Sequence, residues 1–516
     1  MTTLTARRDR DPRGSRPVVS PDDAFNRTLL DHVRPSGWTA PAPATRYNLV
    51  VIGGGTAGLV SAVGAAGLGA RVALVERHLL GGDCLNVGCV PSKAIIAAAR
   101  AAEAVRRARG FGVRTAPADV DFAAVMARMR ELRAGIAPHD SASRLAGLGV
   151  DVFFGEATFT AADAIEVGGR HLRFARAIIA SGTRPAAPSI PGLADVPHLT
   201  NETVFNLTER PGRLIVVGSG PIGCELAQSF RRLGSDVVIV SLDERLLARD
   251  GFEASSLLRS VFEAEGIELR LGAEITRIER TSLGLTVRFD RGGFDSEVNG
   301  DAILVATGRT PNLESLDAHV AGIDTDRDGV VVDDRLRTSN RRVYAAGDVC
   351  SPFKFTHSAD AMARIAIQNA LFFGRKRAAD LIIPWATYTD PEVARIGLGD
   401  EEAKARGSAV TTLTVELDAI DRAVLDGAAE GFACVHADAR TGRILGATMV
   451  SAHAGEAIGE IALAMTAGVR LGTLSRTIHP YPTHAEVWKK LGDQWNRSRL
   501  TPRVKSILET VMRWRR

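Results

Sequence analysis

Cys84 and Cys89, two of only five cysteines, are separated by four residues in the glycine-rich stretch GGDCLNVGCVPSK, residues 81 to 93. Thiols so placed close a disulfide wherever the backbone brings their Cα atoms within about 7 Å. A helix with Cys84 near its first turn would hold both sulfurs on one face, and its N-terminal dipole would favour a thiolate. By spacing alone the pair reads equally as a redox couple or as two buried structural cysteines. The surrounding chain separates these readings.

That chain contains a nucleotide turn. YNLVVI reads as a buried strand, GGGTAG as a tight turn, LVSAVGAAGLG as a small-residue helix and RVALVE as a second strand. Gly53, Gly55 and Gly58 occupy the G-x-G-x-x-G places of a βαβ unit. Glycine there permits the turn, the approach of a pyrophosphate to the backbone and close helix–strand packing. Glu76 ends the second strand, where an acid accepts hydrogen bonds from ribose hydroxyls. About 165 residues later the pattern returns in LIVVGSGPIGCELAQSFRRLGSDVVIVS, with Gly218, Gly220 and Gly223 in the same places. Two such turns imply two dinucleotides, one held permanently and one exchanging. Cys224, just inside the second helix, is a packed small apolar residue on this reading.

CLNVGCVPSK resembles the redox-active disulfide motif of the flavin-dependent pyridine nucleotide–disulfide oxidoreductases, which include dihydrolipoyl dehydrogenase, glutathione reductase and mercuric reductase. The resemblance covers roughly residues 47 to 490. It implies an α/β fold of two Rossmann-like dinucleotide-binding domains, for FAD and NAD(P), plus a C-terminal α+β dimerisation domain. On that plan 47–190 and 301–376 bind FAD, 191–300 bind NAD(P), and 384–490 make a homodimer, flanked by an extension (1–46) and a basic amphipathic tail (491–516). Cys89 would be the charge-transfer thiol against the flavin and Cys84 the interchange thiol facing the acceptor. Glu225 would pair with Lys93 beside the flavin. Ser181 and Gly182 would return beneath the flavin nucleotide, and Asp348, after Gly347, would meet the ribityl chain; Gly82 and Gly308 join this cofactor-contacting set. The helix SADAMARIAIQNALFFG would point its N-terminus at the flavin ring. The second cofactor is NADPH or NADH. The second turn's strand ends on Ser241, followed by Leu242–Asp243–Glu244–Arg245. With no strand-end carboxylate to repel a 2′-phosphate, and Arg245 nearby, the sequence leans slightly to NADPH.

The chain departs from most of the family at HPYPTHAE, residues 479 to 486. Disulfide reductases carry His-Pro-Thr-x-x-Glu here; aligning Pro482, Thr483 and Glu486 puts Tyr481 in the place of the histidine. Phenol, with a pKa of about 10, is a poor base at neutral pH where imidazole is well matched. His479 and His484 lie out of register, and only a local shift would bring either round. Tyrosine here resembles mercuric reductase, whose acceptor is a soft metal ion that thiolates bind directly. The sequence shows neither an N-terminal metal-binding CxxC domain nor a C-terminal cysteine pair; its last cysteine is Cys434. The expected activity is therefore electron transfer from NAD(P)H through FAD and the Cys84–Cys89 pair to a soft metal ion or a small oxidant such as a quinone, with Tyr481 and Glu486 supplied by the partner subunit. The alternatives are a dihydrolipoyl dehydrogenase-type reaction and a low-turnover flavin redox sensor.

The bulk numbers exclude other classes. A chain of 516 residues suggests about three domains. Hydrophobic content of 45% and charged content of 24% are those of a soluble globular protein, and a net charge of +4 argues for no nucleic-acid partner. The cysteine spacings make neither a secreted disulfide framework nor a zinc motif, so no resident metal is expected and a reducing compartment fits. No apolar run is long enough to span a bilayer, and the charged N-terminus is no secretory signal; the expected address is the cytoplasm. Residues 1–46 read as irregular, with one helix in AFNRTLLDHV docked on the body. After Pro502, Val504, Ile507, Leu508, Val511 and Met512 form an apolar stripe with Arg and Lys opposite, followed by Trp514. Such a helix packs on its own dimer or seats peripherally on an anionic membrane.

Overall fold

The computed structural model describes residues 19 to 516, so the first part of the N-terminal extension lies outside the described residues. Internal packing divides the chain into two units. One runs to Asp243 and takes in Gly266–Leu381; the other comprises Glu244–Glu265 and Ile382–Arg516.

The first unit is built on two sheets with parallel cores, the first extended by the antiparallel strands Ala164–Val167 and Ala157–Ala161. In the first, strands follow the order Val150–Phe154, Val72–Glu76, Tyr47–Ile52, Arg170–Ile179, with Val343–Ala345 also parallel to the last. Leu49, Val50 and Val51 are fully buried, as a central strand covered by helices on both faces requires. In the second, the order is Glu268–Leu271, Asp236–Ser241, Arg213–Val217, Ala302–Val305, with a three-stranded antiparallel meander from Glu274 to Gly300. Both expected βαβ units are therefore present, and each glycine turn leaves the C-terminal end of a central strand.

The single helix expected to carry both cysteines is two helices. Cys84 lies in the one-turn helix Gly82–Asn86, and Cys89 is the first residue of Cys89–Arg107. Gly88 separates them; a Cβ there would stand 2.8 Å from the Asp83 carbonyl oxygen, so the chain folds back too tightly for a side chain and the helix is interrupted.

AFNRTLLDHV is the helix Ala24–Val33, capped by the Asp23 carboxylate, which accepts from the Asn26 N–H at 2.8 Å. Leu29, Leu30 and Val33 enter the core of the first unit. Buried Arg133 donates to Asn26 Oδ1 and to the Asn86 carbonyl, both at 2.6 Å, which ties this helix to the end of the Cys84 helix.

The second unit is built on an antiparallel sheet in the order Pro384–Thr387, Glu392–Gly397, Ile444–Ser451, Phe432–Asp438, Val410–Glu416. Ala454–Thr466 and Glu486–Ser498 cover one face, burying Ile461, Trp488 and Leu491 against Val435 and Met449. Alternation along Phe432–Asp438 sends Ala433, Val435 and Ala437 into that core and Cys434 and His436 to the opposite face. The tail boundary expected at 490/491 falls inside Glu486–Ser498, where Leu491 and Trp495 are buried. The helix Pro502–Trp514 that follows buries none of its residues. Among the described residues no helix is long and apolar enough to cross a membrane.

Candidate active site

The two thiols share a hydrogen bond in which Cys84 is donor. Thr356 Oγ1, on the first residue of the helix Thr356–Leu371, lies 3.4 Å from Cys89 Sγ. The Cys89 thiol is pushed down to about 6: chiefly by the hydrogen bond from Cys84, then by Thr356 and the Lys93 charge, against burial and Glu225. Cys84 moves far upward, because it spends its proton on that bond and is itself partly buried. At neutral pH the pair carries one negative charge, held on Cys89. Lys93 is four residues further along the same helix, and its Nζ lies 2.9 Å from Glu225 Oε2 on Pro221–Arg232. Glu225 is only 7% exposed there.

A second set of polar residues converges on the Cys84 helix. Asp83 forms an ion pair with Arg309, 226 residues away. Arg309 Nε also donates to Thr183 Oγ1 at 2.7 Å, and that hydroxyl donates to Asp348 Oδ2 at 3.2 Å. Burial raises the Asp348 carboxyl above the usual range, with Arg309, Lys354 and Thr183 opposing. Thr183, Arg309, Asp83 and Thr356 are absent from the sequence-derived set; ATGRTPN contains Arg309, but no local pattern pairs it with Asp83. Gly347, at φ +81°, packs against Ala57 and Ala359, and Ala186 N–H donates to the Gly308 carbonyl at 2.9 Å.

The two glycine turns fit a pyrophosphate. Gly55 and Gly220 precede the helices Thr56–Gly67 and Pro221–Arg232, and neither helix start is closed by a side-chain cap. First-turn N–H groups are thus left for an anion. A Cβ at Gly220 would meet nothing within 4 Å, so the backbone there faces open space. Glu76 is buried, and its two oxygens accept from the Gly54 and His78 N–H groups, each at 2.6 Å. Desolvation raises its pKa. Ser181 and Gly182 stand beside this turn: the Ser181 Cα lies 3.0 Å from where a Gly53 Cβ would be, and Ser181 Oγ donates to the Asn312 carbonyl at 2.8 Å. At the second turn Ser241 Oγ is 2.9 Å from Ser219 Oγ, and Ser219 in turn reaches Asp243 Oδ2 at 3.4 Å. Asp243, passed over because it lies beyond the strand end, brings a carboxylate to this turn. Arg245 donates to the Ala248 carbonyl at 3.2 Å.

In the second unit Tyr481 is 72% exposed, and its hydroxyl donates to Asp421 Oδ2 at 2.7 Å. That bond, the Asp421 charge and the charge of Glu486 raise its pKa. His479 Nε2 lies 3.0 Å from Glu460, and buried His484 lies between Ser451 and Asp426. Burial lowers the His484 pKa. Both imidazoles are engaged within their own unit.

The description "Pyridine nucleotide-disulphide oxidoreductase" matches residues 47–363, and the dimerisation domain of the same family matches residues 383–491. The chain belongs to the pyridine nucleotide–disulphide oxidoreductases. Members of this family are flavin-dependent and use FAD and NAD(P)H. The chain is 35% identical to the mercuric reductase of Bacillus cereus over 441 residues, 85% of this chain and 70% of that protein. It is 36% identical to the dihydrolipoyl dehydrogenase of Thermus scotoductus over 454 residues, 85% of this chain and 95% of that one. Among solved structures it resembles the HOCl-induced flavoprotein disulfide reductase RclA from Escherichia coli, with a TM-score of 0.78 and 28% identity, covering 87% of this chain and 99% of that one. The same E. coli protein has been solved as a Cu(II) complex. The family match thus establishes a flavoprotein oxidoreductase, and the dimerisation match supports a homodimer.

Proposed function

We propose that this oxidoreductase delivers electrons through Cys84 and Cys89 to a soft metal ion or a small oxidant such as a quinone, not to a disulfide. One observation carries the reading: the imidazole position is filled by Tyr481, whose proton is committed to Asp421 and whose pKa is raised. A leaving thiolate needs a proton donor matched to neutral pH, and this phenol is a poor one. A soft metal ion needs only thiolates and electrons. The mercuric reductase relatives accord with this, and the E. coli protein, named a disulfide reductase, has also been solved with Cu(II).

Bound FAD supplies the two-electron relay between nicotinamide and thiols. Gly53, Gly55, Gly58, Glu76, Gly82, Ser181, Gly182, Gly308, Gly347 and Asp348 would hold it, with 47–190 and 301–376 as its domain; Gly218, Gly220, Gly223 and Ser241, in 191–300, would hold the nicotinamide nucleotide. Cys89 stays ionised at neutral pH, Lys93 and Glu225 fix the helix that carries it, and Cys84 keeps its proton until an acceptor displaces it. Tyr481 and Glu486 reach the acceptor from the partner subunit. Asp243 at the second turn disfavours a 2′-phosphate, so NADH replaces NADPH as the expected donor. The exposed helix Pro502–Trp514 packs on the dimer; co-sedimentation with anionic vesicles that is lost on deleting residues 500–516 would place it on membrane instead. The working compartment is the cytoplasm.

Steady-state NADH and NADPH oxidation with Hg(II), Cu(II), a quinone and lipoamide tests the acceptor. Lipoamide turnover should be the slowest, and Tyr481→His should raise it by at least about 10-fold. Wild-type turnover of lipoamide faster than every other acceptor would instead make this a dihydrolipoyl dehydrogenase, an enzyme to which the chain is also 36% identical. Failure with all four would point to a redox sensor. Alkylation of the reduced thiols gives the pH signature: Cys89 reactivity should rise through about pH 6 and level off above it.

A further inference from the structure

We infer that Asp400, Cys434 and His436 form a zinc site on the sheet face opposite the Trp488 core, separate from the redox thiols. Cys434 and His436 occupy alternate positions of Phe432–Asp438, and both are buried, His436 completely. Asp400 opens the helix Asp400–Ala405 and turns its carboxylate onto them. One sulfur, one imidazole nitrogen and one carboxylate oxygen all lie within 4.8 Å of one another. His436 Nε2 is enclosed and lies 3.2 Å from Asp400 Oδ1, at ion-pair distance but outside hydrogen-bond alignment. Its other nitrogen, Nδ1, is 2.9 Å from the hydroxyl of Thr412, the residue directly opposite in the strand register. In the tautomer where the Thr412 hydroxyl accepts from Nδ1–H, the Nε2 lone pair is left for an ion, the arrangement found behind metal-bound histidines.

The donor set selects the ion. Thiolate, imidazole and carboxylate together suit zinc, with bonds of about 2.3 Å to sulfur and about 2.0–2.2 Å to nitrogen and oxygen. Tetrahedral ligands at those lengths sit roughly 3.3–3.6 Å apart. The Nε2–Oδ1 edge, at 3.2 Å, is close to that length, and the remaining edges, none above 4.8 Å, need to close by at most roughly 1.2 Å. Glu253, on Phe252–Ala264 of the same unit, adds a negative charge that is felt at Cys434, and the fourth position is left to water. Binding releases the Cys434 proton to solvent. The sequence reading expected no metal, because a C-x-H pair with an aspartate 34 residues upstream matches no zinc motif.

The test uses the full-length flavoprotein with Cys84 and Cys89 changed to serine, which removes the competing thiols. After equilibration with zinc chloride and removal of free ion, zinc is counted by mass spectrometry. About one zinc per chain is expected, and Asp400→Asn, Cys434→Ser and His436→Gln should each weaken binding at least about 10-fold. Asp400→Asn changes a partly exposed helix start, so it decides the matter even where a buried substitution unfolds the protein. No retained zinc, or zinc held equally by all three variants, would overturn the assignment.

Discussion

At the first nucleotide turn a Cβ on Gly53 would overlap the Ala180 carbonyl oxygen, and at the second a Cβ on Gly218 would stand 2.6 Å from that of Ala306; both glycines hold φ at +108°. Gly58 and Gly223 are excluded from carrying side chains in the same way, by the carbonyls of Gly53 and Gly218. Beyond this shared backbone the turns differ. Gly55 is covered by Gly82, whose Cβ would lie 2.6 Å from the Gly55 Cα, whereas Gly220 faces open space. Glu76 is buried and fixed by two backbone N–H groups; its counterpart Ser241 shares a small polar cluster with Ser219 and Asp243. The inner glycines make the turn, while the cover over the middle glycine decides whether an occupant stays. A covered turn suits a resident flavin nucleotide and an open one suits a nucleotide that exchanges.

Substitutions at matched positions put that contrast at risk. The largest effect should come from Gly58→Ala, which forces overlap with a backbone oxygen: about 3 kcal/mol of stability lost and little bound flavin, read by denaturant unfolding and flavin absorbance. Gly223→Ala should keep the flavin yet lower kcat/KM for the nicotinamide nucleotide by about 100-fold. Loss of flavin in both variants would erase the distinction between the turns. Gly220→Ala is gentler, since its Cβ meets no protein atom. The melting temperature should stay within about 2 °C while KM rises about 10-fold, through the nucleotide alone. An unchanged KM would mean that no phosphate approaches there. The smallest shift belongs to Asp243→Asn, which should raise the NADPH-to-NADH ratio of kcat/KM by about 5-fold. An unmoved ratio would show that this carboxylate does not face the ribose.

What the sequence made legible follows from how far apart the partners are. Both glycine turns and the thiol motif are contiguous, so their residue types and spacing carry the geometry with them. Lys93 and Glu225 were paired only through the family resemblance, because nothing local joins two helices 132 residues apart. The helix break at Gly88 was missed: composition shows a glycine, but only the returning Asp83 carbonyl makes a side chain impossible there. Asp83–Arg309, Thr356 against Cys89 and Asp243 at the second turn were also missed, since each depends on a crossover or a loop path. The Asp400–Cys434–His436 cluster is the extreme case. A strand register and a helix start bring it together, and no motif records either.

The Lys93–Glu225 bridge joins the helix that begins at Cys89 to the helix that begins at the open nucleotide turn. The ammonium that helps keep the Cys89 sulfur anionic is thus anchored by a carboxylate on a helix that starts at a different glycine turn, so one ion pair ties the two helix starts together.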